Sequence, residues 1–402
     1  MRNAILSASV AVVLVFWFGA AQAADPHPVA QPVRDFANDG EPSFRIDGLP
    51  GKTTALALIP TDHLVLGAEH ILDQQCHNGG FGWPHDDCSV TYHNINGPIL
   101  LGVLGTYYFT RDPIHLVGAV NGGVFDLTYQ FSNGEANFAT FTPHFLLDLA
   151  RASGNTTFST WVSSEFFDEL AAGTYGPDNL DTAGWIAKIE SIRTGAFVNL
   201  RPWEFHTLIP TAQVLGQTGQ SAVFEQGVLD GLDTLDNSDP SAVYSDIIGL
   251  AGAVRGLAFA GRSSFPAISA PLHPGVDGID NLDDLAAYLA SLQNLDGSWN
   301  WHSNLASPTA GDEDVQTTAY ALLALLEVDV MTAASYQAST SSARDWIVSM
   351  QLPNGGFPEY PGGPENTEVE GEAVTAVAAF DSRIFVDGFE SGDASRWSAR
   401  VP

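Results

Sequence analysis

The segment Gln293-Asn-Leu-Asp-Gly-Ser-Trp299 decides the fold, because its pattern occurs three times along the chain. The other copies are Gln75-Cys-His-Asn-Gly-Gly-Phe81 and Gln351-Leu-Pro-Asn-Gly-Gly-Phe357, so each copy is Gln-x-x-Asn/Asp-Gly-Gly/Ser-aromatic. Each follows an amphipathic helical stretch and precedes, after a polar loop, a more apolar one. Glycine after Asn or Asp supplies the left-handed backbone that ends a helix. We expect the aromatic side chain to fold back and staple the loop against the next repeat.

Hydrophobic periodicity predicts six helix pairs over residues 61–382, one outer and one inner helix in each. The predicted inner stretches, such as Ala319 to Leu326, are apolar nearly all round, as expected of helices buried on every side. Six pairs close a ring without capping repeats, so the sequence predicts an all-α (α/α)₆ toroid. The predicted outer helices are 63–75, 112–131, 157–191 (interrupted at 173–177), 221–235, 281–294 and 338–351. The predicted inner helices are 91–108, 137–152, 200–217, 241–261, 313–328 and 366–381.

The repeated segment resembles the QW motif of squalene-hopene and oxidosqualene cyclases. Likewise, residues 314–325 resemble the inner helices of the terpenoid cyclase and prenyltransferase superfamily and of the thioester domains of α2-macroglobulin-like proteins. The resemblance is strong over 281–328 and 338–381, weaker over 63–108 and only architectural in the middle third. It implies an (α/α)₆ toroid and, as an activity, acid-catalysed cyclisation or isomerisation of an apolar terpenoid or lipid.

The chain differs from these families at the motifs that carry out their chemistry. The protonating D-x-D-D-T-A motif of class II cyclases corresponds here to Asp312-Glu-Asp-Val-Gln-Thr-Thr-Ala319. The thioester signature Gly-Cys-Gly-Glu-Gln is absent, and neither cysteine lies on a late inner helix, where prenyltransferases hold zinc. Triterpene cyclases use two toroids, whereas this chain has room for one. The resemblance therefore implies a fold more firmly than a reaction.

The two ends of the chain differ from the helical part. Residues 1–23 have a charged start, a short apolar run and an A-x-A-like site, which predicts a cleaved signal peptide. Residues 24–60 are rich in proline and are expected to form an extended arm. Residues 383–402 resemble the D-G-F-E-S-G-D-x-S-x-W tails of secreted proteins of Gram-negative bacteria. We therefore expect a secreted, periplasmic or cell-surface protein of such a bacterium.

The formal net charge is −32 and the chain has only two lysines, Lys52 and Lys188. Phosphate binding depends largely on Lys and Arg, so nucleic acid and anionic membrane surfaces are improbable partners. The only two cysteines, Cys76 and Cys88, are close in sequence. In an oxidising compartment this spacing predicts a disulfide that closes a short loop.

Polar residues at the starts of the inner helices are the candidate functional residues, because those starts are expected to converge at one mouth of the toroid. Burial and like-charge crowding would raise some carboxyl pKa values there, so that one acid could donate a proton while another stabilises positive charge. The catalytic candidates are Asp314, Glu204, His206, His93, Asp246 and Glu370. The candidates for substrate binding are Trp203, Tyr92, Asn94, Tyr244, Tyr320 and Gln316.

Two simpler interpretations compete with this one. Acidic residues are favoured in the first turn of any helix, so Asp314 and Glu370 could serve only as caps. The histidines and acids around the disulfide loop, such as His77 and His85, lack the spacing of zinc motifs. We therefore predict no metal site, and no phosphate-binding or dinucleotide motif indicates a cofactor.

Three functions remain open. The fold resemblance favours a cyclase or isomerase acting on an apolar ligand, with aromatic side chains stabilising cations. The alternative is a glycan-active hydrolase or lyase, since (α/α)₆ toroids also host such enzymes. Here an acidic mouth disfavours a lyase acting on uronates but allows a hydrolase with two carboxylates. The third possibility is a non-catalytic binding or adhesion protein.

Overall fold

Helices form most of the chain over the residues described by the computed structural model, which are 62–85, 87–128, 140–192, 195–238, 244–303, 312–331 and 335–389. The α-helices are α1 (Asp62–Asp73), α2 (His93–Thr110), α3 (Pro113–Thr128), α4 (Thr142–Ser153), α5 (Thr156–Thr160), α6 (Asp168–Ala172), α7 (Thr182–Ile192), α8 (Arg201–Phe205), α9 (Leu208–Val214), α10 (Thr218–Leu232), α11 (Asp246–Phe259), α12 (Leu282–Ser291), α13 (Val315–Met331), α14 (Gln337–Met350) and α15 (Thr367–Phe389). Trp161–Phe167 is a π-helical turn and Gly195–Leu200 a 3₁₀ helix, while strands β1 (Trp299–Asn300) and β2 (Glu313–Asp314) pair antiparallel.

The inner helices form a closed ring. In order around it, α2 packs against α4, α4 against α9, α8 against α11, α11 against α13, α13 against α15, and α15 against α2. The outer helices are α1, α3, the α5–α7 segment, α10, α12 and α14, each packed on inner neighbours. Their order matches the six predicted pairs. The predicted (α/α)₆ toroid is therefore confirmed.

The third inner helix is divided in two, which the sequence analysis did not predict. Helix α8 ends at Phe205 and α9 begins at Leu208, so the break lies at His206 and Thr207. Pro210 explains it, because proline lacks the N–H that would bond to the carbonyl of His206 one turn earlier. In the outer layer, α6 ends at Gly173, whose φ is 70°, which agrees with the predicted interruption.

The glutamine of each repeated segment ties its loop to another outer helix. The side-chain amide of Gln293 donates to Gly297 O of its own loop at 2.9 Å and to Ser339 O of α14 at 2.9 Å. The other two copies make the same pair of bonds, Gln75 with α3 and Gln351 with α1. Because Gln351 reaches α1, the third copy links the last outer helix to the first. The aromatic side chains that end the segments are buried, as predicted.

The disulfide and the chain ends complete the description. The predicted disulfide between Cys76 and Cys88 is confirmed, with the two Cα atoms 5.5 Å apart. Helix α15 continues to Phe389, past the predicted domain boundary at residue 382. The predicted signal peptide and arm, and residues 390–402 of the predicted tail, lie outside the described residues. Among the described helices, none combines the length and the apolar character that crossing a bilayer requires.

Candidate functional site

A buried carboxyl and a phenol meet where the inner helices α13 and α15 pack together. The hydroxyl of Tyr320 donates to Glu372 Oε1 at 2.6 Å, and the two residues are only 3% and 2% exposed. The other oxygen of Glu372, Oε2, is also buried and has no hydrogen-bond partner among the described residues. Glu372 is therefore a buried carboxyl with one oxygen held by Tyr320 and one oxygen that the described residues leave without a hydrogen bond.

The surroundings of Glu372 favour its protonated form. Burial raises its pKa well above the ordinary value, and the negative charges of Glu368 and Asp314 raise it further. The hydrogen bond from Tyr320 and the nearby side-chain amide of Gln316 lower the pKa but are outweighed by burial. A carboxylic acid that stays neutral in this way can donate a proton at physiological pH.

Asp314 is a second buried carboxyl with a raised pKa. Burial raises the pKa to about 7, although hydrogen bonds from Thr317 lower it. The backbone N–H and the hydroxyl of Thr317 each donate to Asp314 Oδ1 at 2.6 Å, so this side chain caps the start of α13. The capping interpretation is therefore correct for Asp314. The capping bonds involve Oδ1 only. With a pKa of about 7, the carboxyl of Asp314 is partly ionised near neutrality.

Three aromatic rings from separate elements contact one another beside Glu372, and we call them the aromatic triad. They are Phe141, which precedes α4, Trp203 of α8, and Tyr320 of α13. The ring centroids of Phe141 and Trp203 are 4.7 Å apart, and those of Trp203 and Tyr320 are 5.5 Å apart. Since the hydroxyl of Tyr320 bonds to Glu372, the triad and the buried acid form one contiguous buried group.

His206 and Glu204 lie buried next to the triad. His206 Nδ1 is 2.5 Å from Trp203 O, and Arg255 of α11 donates to His206 Nε2 at 3.3 Å. Burial, and secondarily the charge of Arg255, lowers the pKa of His206 well below its ordinary value, so the ring is neutral. Glu204 accepts a hydrogen bond from Thr140 at 2.9 Å. These contacts position Trp203 and the segment that carries Phe141.

The predicted residues at the start of α2 form a separate group. His93 is buried with Nε2 3.6 Å from Asp126 Oδ1, and Asn96 donates to the same oxygen at 2.9 Å. Burial lowers the pKa of His93 to about 3 and raises that of Asp126 well above its ordinary value, so burial favours the uncharged form of each. Asn94 is exposed, and the backbone of Tyr92 pairs with Phe81.

Asp246, at the start of α11, is fully enclosed by hydrogen-bonding groups. It accepts bonds from His273 Nε2 at 2.7 Å and from the Ser303 N–H at 3.0 Å, and its Oδ1 lies 3.0 Å from His302 Nδ1. These partners hold the pKa of Asp246 below its ordinary value in spite of burial. An aspartate with these partners anchors the loop after β1 to α11. Tyr244, two residues earlier, is half-buried.

Glu370 does not face Glu372, because two residues along a helix turn a side chain to the opposite side. Its Oε2 accepts a bond from Gln74 at 2.7 Å, and its Oε1 lies 3.6 Å from His70 Nε2. Four residues that could ligate a metal meet there, and we call them the His–Glu cluster: His70, His85, Glu365 and Glu370.

The structure thus brings together only part of the predicted site. Trp203 contacts Tyr320, which bonds to Glu372, and His206 packs against Tyr320. Gln316 and Asp314 act on the pKa of Glu372. Glu372 was missed by the sequence analysis, which considered only the first turn of each inner helix. One signal could have indicated it: Glu372 lies four residues after Glu368 and so shares its helix face.

No protein-family model matches the sequence, and no curated protein matches it significantly. Among solved structures, the chain is similar to a possible member of the GH105 family from Klebsiella pneumoniae, with 13% identity, a TM-score of 0.53, and coverage of 84% of this chain and 96% of that one. It is similar to the unsaturated glucuronyl hydrolase of Bacillus sp. GL1, responsible for the degradation of glycosaminoglycan, with 13% identity, a TM-score of 0.53, and coverage of 83% and 97%. A type II terpene cyclase from Scytonema has 12% identity, a TM-score of 0.47, and coverage of 80% and 96%. The first two likenesses, at such low identity, show the fold alone, an (α/α)₆ toroid.

Proposed function

We propose that this protein is a glycan-active hydrolase whose reacting groups are Glu372 and Asp314. The observation that carries the proposal is the buried Glu372, whose Oε1 is fixed by Tyr320 while its Oε2 has no partner among the described residues. Glycoside hydrolysis needs one neutral carboxylic acid and one carboxylate that can be ionised. The two pKa values, about 7 for Asp314 and higher than ordinary for Glu372, suit these two roles.

The proposed reaction uses protonated Glu372 as the acid and ionised Asp314 as the second carboxylate. Glu372 donates its proton to the glycosidic oxygen as the bond from that oxygen to the sugar carbon breaks. Ionised Asp314 stabilises the positive charge that develops on the sugar or activates the incoming water. Water supplies the hydroxyl group of the new reducing end, and its second proton returns to Glu372.

The aromatic triad supports a sugar substrate, because aromatic rings pack against the apolar faces of sugar rings. Uncharged sugars are favoured over uronates, since Glu368 and Asp314 place negative charge beside Glu372. The similar structures include an enzyme that acts on unsaturated glucuronyl groups, so the fold accommodates glycan hydrolysis. We therefore place neutral oligosaccharides first among the substrates.

Substitution of the acid tests this proposal directly. Glu372→Gln should lower kcat on a hydrolysed neutral oligosaccharide by about 10²–10⁴-fold, the usual contribution of a general acid. Glu313→Gln is the matched control, because Glu313 adjoins Asp314 in sequence and contributes to β2 through its backbone. Circular dichroism should show the same helix content in both variants. Equal turnover in Glu372→Gln and the control would refute the proposal, as would failure of the native chain to hydrolyse any neutral glycan in a broad panel.

A second candidate, a cyclase or isomerase acting on an apolar substrate, is favoured by the composition of the triad. A carboxylic acid beside three aromatic rings, in tilted and edge-to-face contact, is also suited to protonating an alkene and stabilising the resulting cation. Ligand binding separates the two candidates. Quenching of tryptophan fluorescence by a neutral oligosaccharide, lost in Trp203→Phe, supports the hydrolase, whereas quenching only by a terpenoid supports the cyclase.

A further inference from the structure

The His–Glu cluster lies between the first and last helices of the ring, apart from the residues assigned to glycan hydrolysis. His70 is on α1, His85 is in the disulfide loop, Glu365 precedes α15, and Glu370 is in the first turn of α15. One ligand atom from each residue lies within 4.8 Å of the others. The set contains two imidazoles and two carboxylates, the ligand types that zinc and similar transition metals bind.

The distances between these atoms match the edges of a metal-centred tetrahedron. Zinc bonds to nitrogen and oxygen are about 2.0–2.2 Å long, so neighbouring ligands in a tetrahedral site are about 3.3–3.5 Å apart. Glu365 Oε2 is 3.0 Å from His70 Nε2 and 3.3 Å from His85 Nε2, and His70 Nε2 is 3.6 Å from Glu370 Oε1. Small side-chain movements would therefore suffice to place four ligands around one ion.

The backbone of Gly356 lies against the cluster. A Cβ at this position would lie 2.4 Å from Glu365 Oε2, 2.8 Å from His70 Nε2 and 2.9 Å from Glu370 Oε1. The backbone at Gly356 thus lies close to three ligand atoms, and any other residue would place its Cβ against them. Gly356 belongs to the third copy of the repeated segment, so the loop that closes the ring also borders this cluster.

Hydrogen bonds from outside the cluster orient both carboxylates. Gln74 donates to Glu370 Oε2 at 2.7 Å, which leaves Oε1 facing His70. Asn354 donates to both oxygens of Glu365, at 3.1 and 3.2 Å. Partners of this kind orient the ligands in metal sites and affect affinity about 10–100-fold. The side chain of Glu370 is 1% exposed, whereas that of His85 is 29% exposed, so the site is anchored inside and open to solvent at its rim.

We propose that the His–Glu cluster binds one divalent transition-metal ion, with Zn²⁺ as the best match, through His70, His85, Glu365 and Glu370. Two neutral imidazoles and two carboxylates carry a charge of −2, which the ion neutralises. Such an ion would join α1, the disulfide loop and α15 across the closure of the ring. Its role is structural, because all four positions are occupied by protein ligands.

The experiment uses the full chain, treated with EDTA, dialysed, and titrated with Zn²⁺. We expect one tightly bound Zn²⁺ per chain by elemental analysis and a rise in Tm on binding, because an ion that binds only the folded chain stabilises it. Co²⁺ substituted for Zn²⁺ should give the intense visible absorption of a tetrahedral site. Glu365→Gln and His85→Ala should weaken Zn²⁺ binding by at least about 100-fold, more than the loss of an outer partner.

His77→Ala is the matched control, because His77 lies in the same disulfide loop, is exposed and does not belong to the cluster. Both ligand positions are partly exposed at the rim, so the variants should keep native helix content in the absence of metal. Equal Zn²⁺ affinity in His85→Ala, Glu365→Gln and the control would overturn the proposal, as would the absence of stoichiometric binding to the folded native chain. Neither result depends on glycan hydrolysis.

Discussion

The glycine of the repeated turn should be among the most sensitive positions in the protein. Gly297 has φ 102°, and a Cβ there would lie 2.3 Å from Ser342 O and 2.6 Å from Ser342 C of α14. These are backbone atoms and cannot rotate away. Gly297→Ala must therefore push the loop and α14 apart by about 1 Å to restore ordinary contact. The hydrogen bond from Gln293 to Ser339 O, 2.9 Å long, spans the same contact and would stretch.

The magnitude follows from these two effects. A non-glycine residue held in this backbone region costs about 1–3 kcal/mol. Loss of the part-buried Gln293 bond costs about 0.5–1.5 kcal/mol, the net value of an ordinary hydrogen bond. Alanine restricts the unfolded chain, which offsets about 0.4–1 kcal/mol. Gly297→Ala should thus lower the free energy of unfolding by about 0.5–4 kcal/mol.

Urea unfolding, followed by far-ultraviolet circular dichroism and tryptophan fluorescence, measures this change. Trp299 is fully buried two residues after Gly297, so its fluorescence reports on the same turn. Gly219→Ala is the control, since Gly219 is exposed in α10 and a Cβ there would meet no atom within 4 Å. It should leave stability unchanged or raise it by up to about 1 kcal/mol. A Gly297→Ala protein as stable as the native chain, or more stable, would refute the reasoning.

Two other predictions concern pH and redox state. Burial lowers the pKa of His93 to about 3 from 6.5, so between these values the unfolded chain binds a proton that the folded chain does not. His93 therefore does not destabilise the folded chain above pH 6.5. Below pH 6.5 it lowers the free energy of unfolding by about 1.4 kcal/mol for each unit by which the pH decreases. Urea unfolding of His93→Gln at several pH values should lack this component, and an unchanged slope would contradict the assignment. Reduction of Cys76–Cys88, separated by 12 positions, should lower the free energy of unfolding by about 3 kcal/mol. The Cys76→Ser/Cys88→Ser variant should not respond to reductant, and a native chain equally insensitive would disagree with this expectation.

The candidate site was only partly predictable, because the rotation of an inner helix depends on its neighbours. Sequence reasoning chose Glu370 from its place at the start of α15, whereas packing against α13 turns Glu372 toward Tyr320. Periodicity groups Glu368 with Glu372 and separates Glu370, but it does not say which group faces α13. Asp314 was identified from its place at the start of an inner helix, and Tyr320 as an aromatic side chain on the same helix that could bind substrate.

By itself, the sequence determined the number and order of the helix pairs, the repeated turns and the disulfide. These features depend on local periodicity, on glycine at positions such as Gly297, and on the short separation of the two cysteines. Only the tertiary structure decided which polar side chains meet. His70 and Glu365 are 295 positions apart and come within 3.0 Å because the ring closes between α1 and α15. No local sequence pattern predicts this contact, because it results from the packing of all six helix pairs.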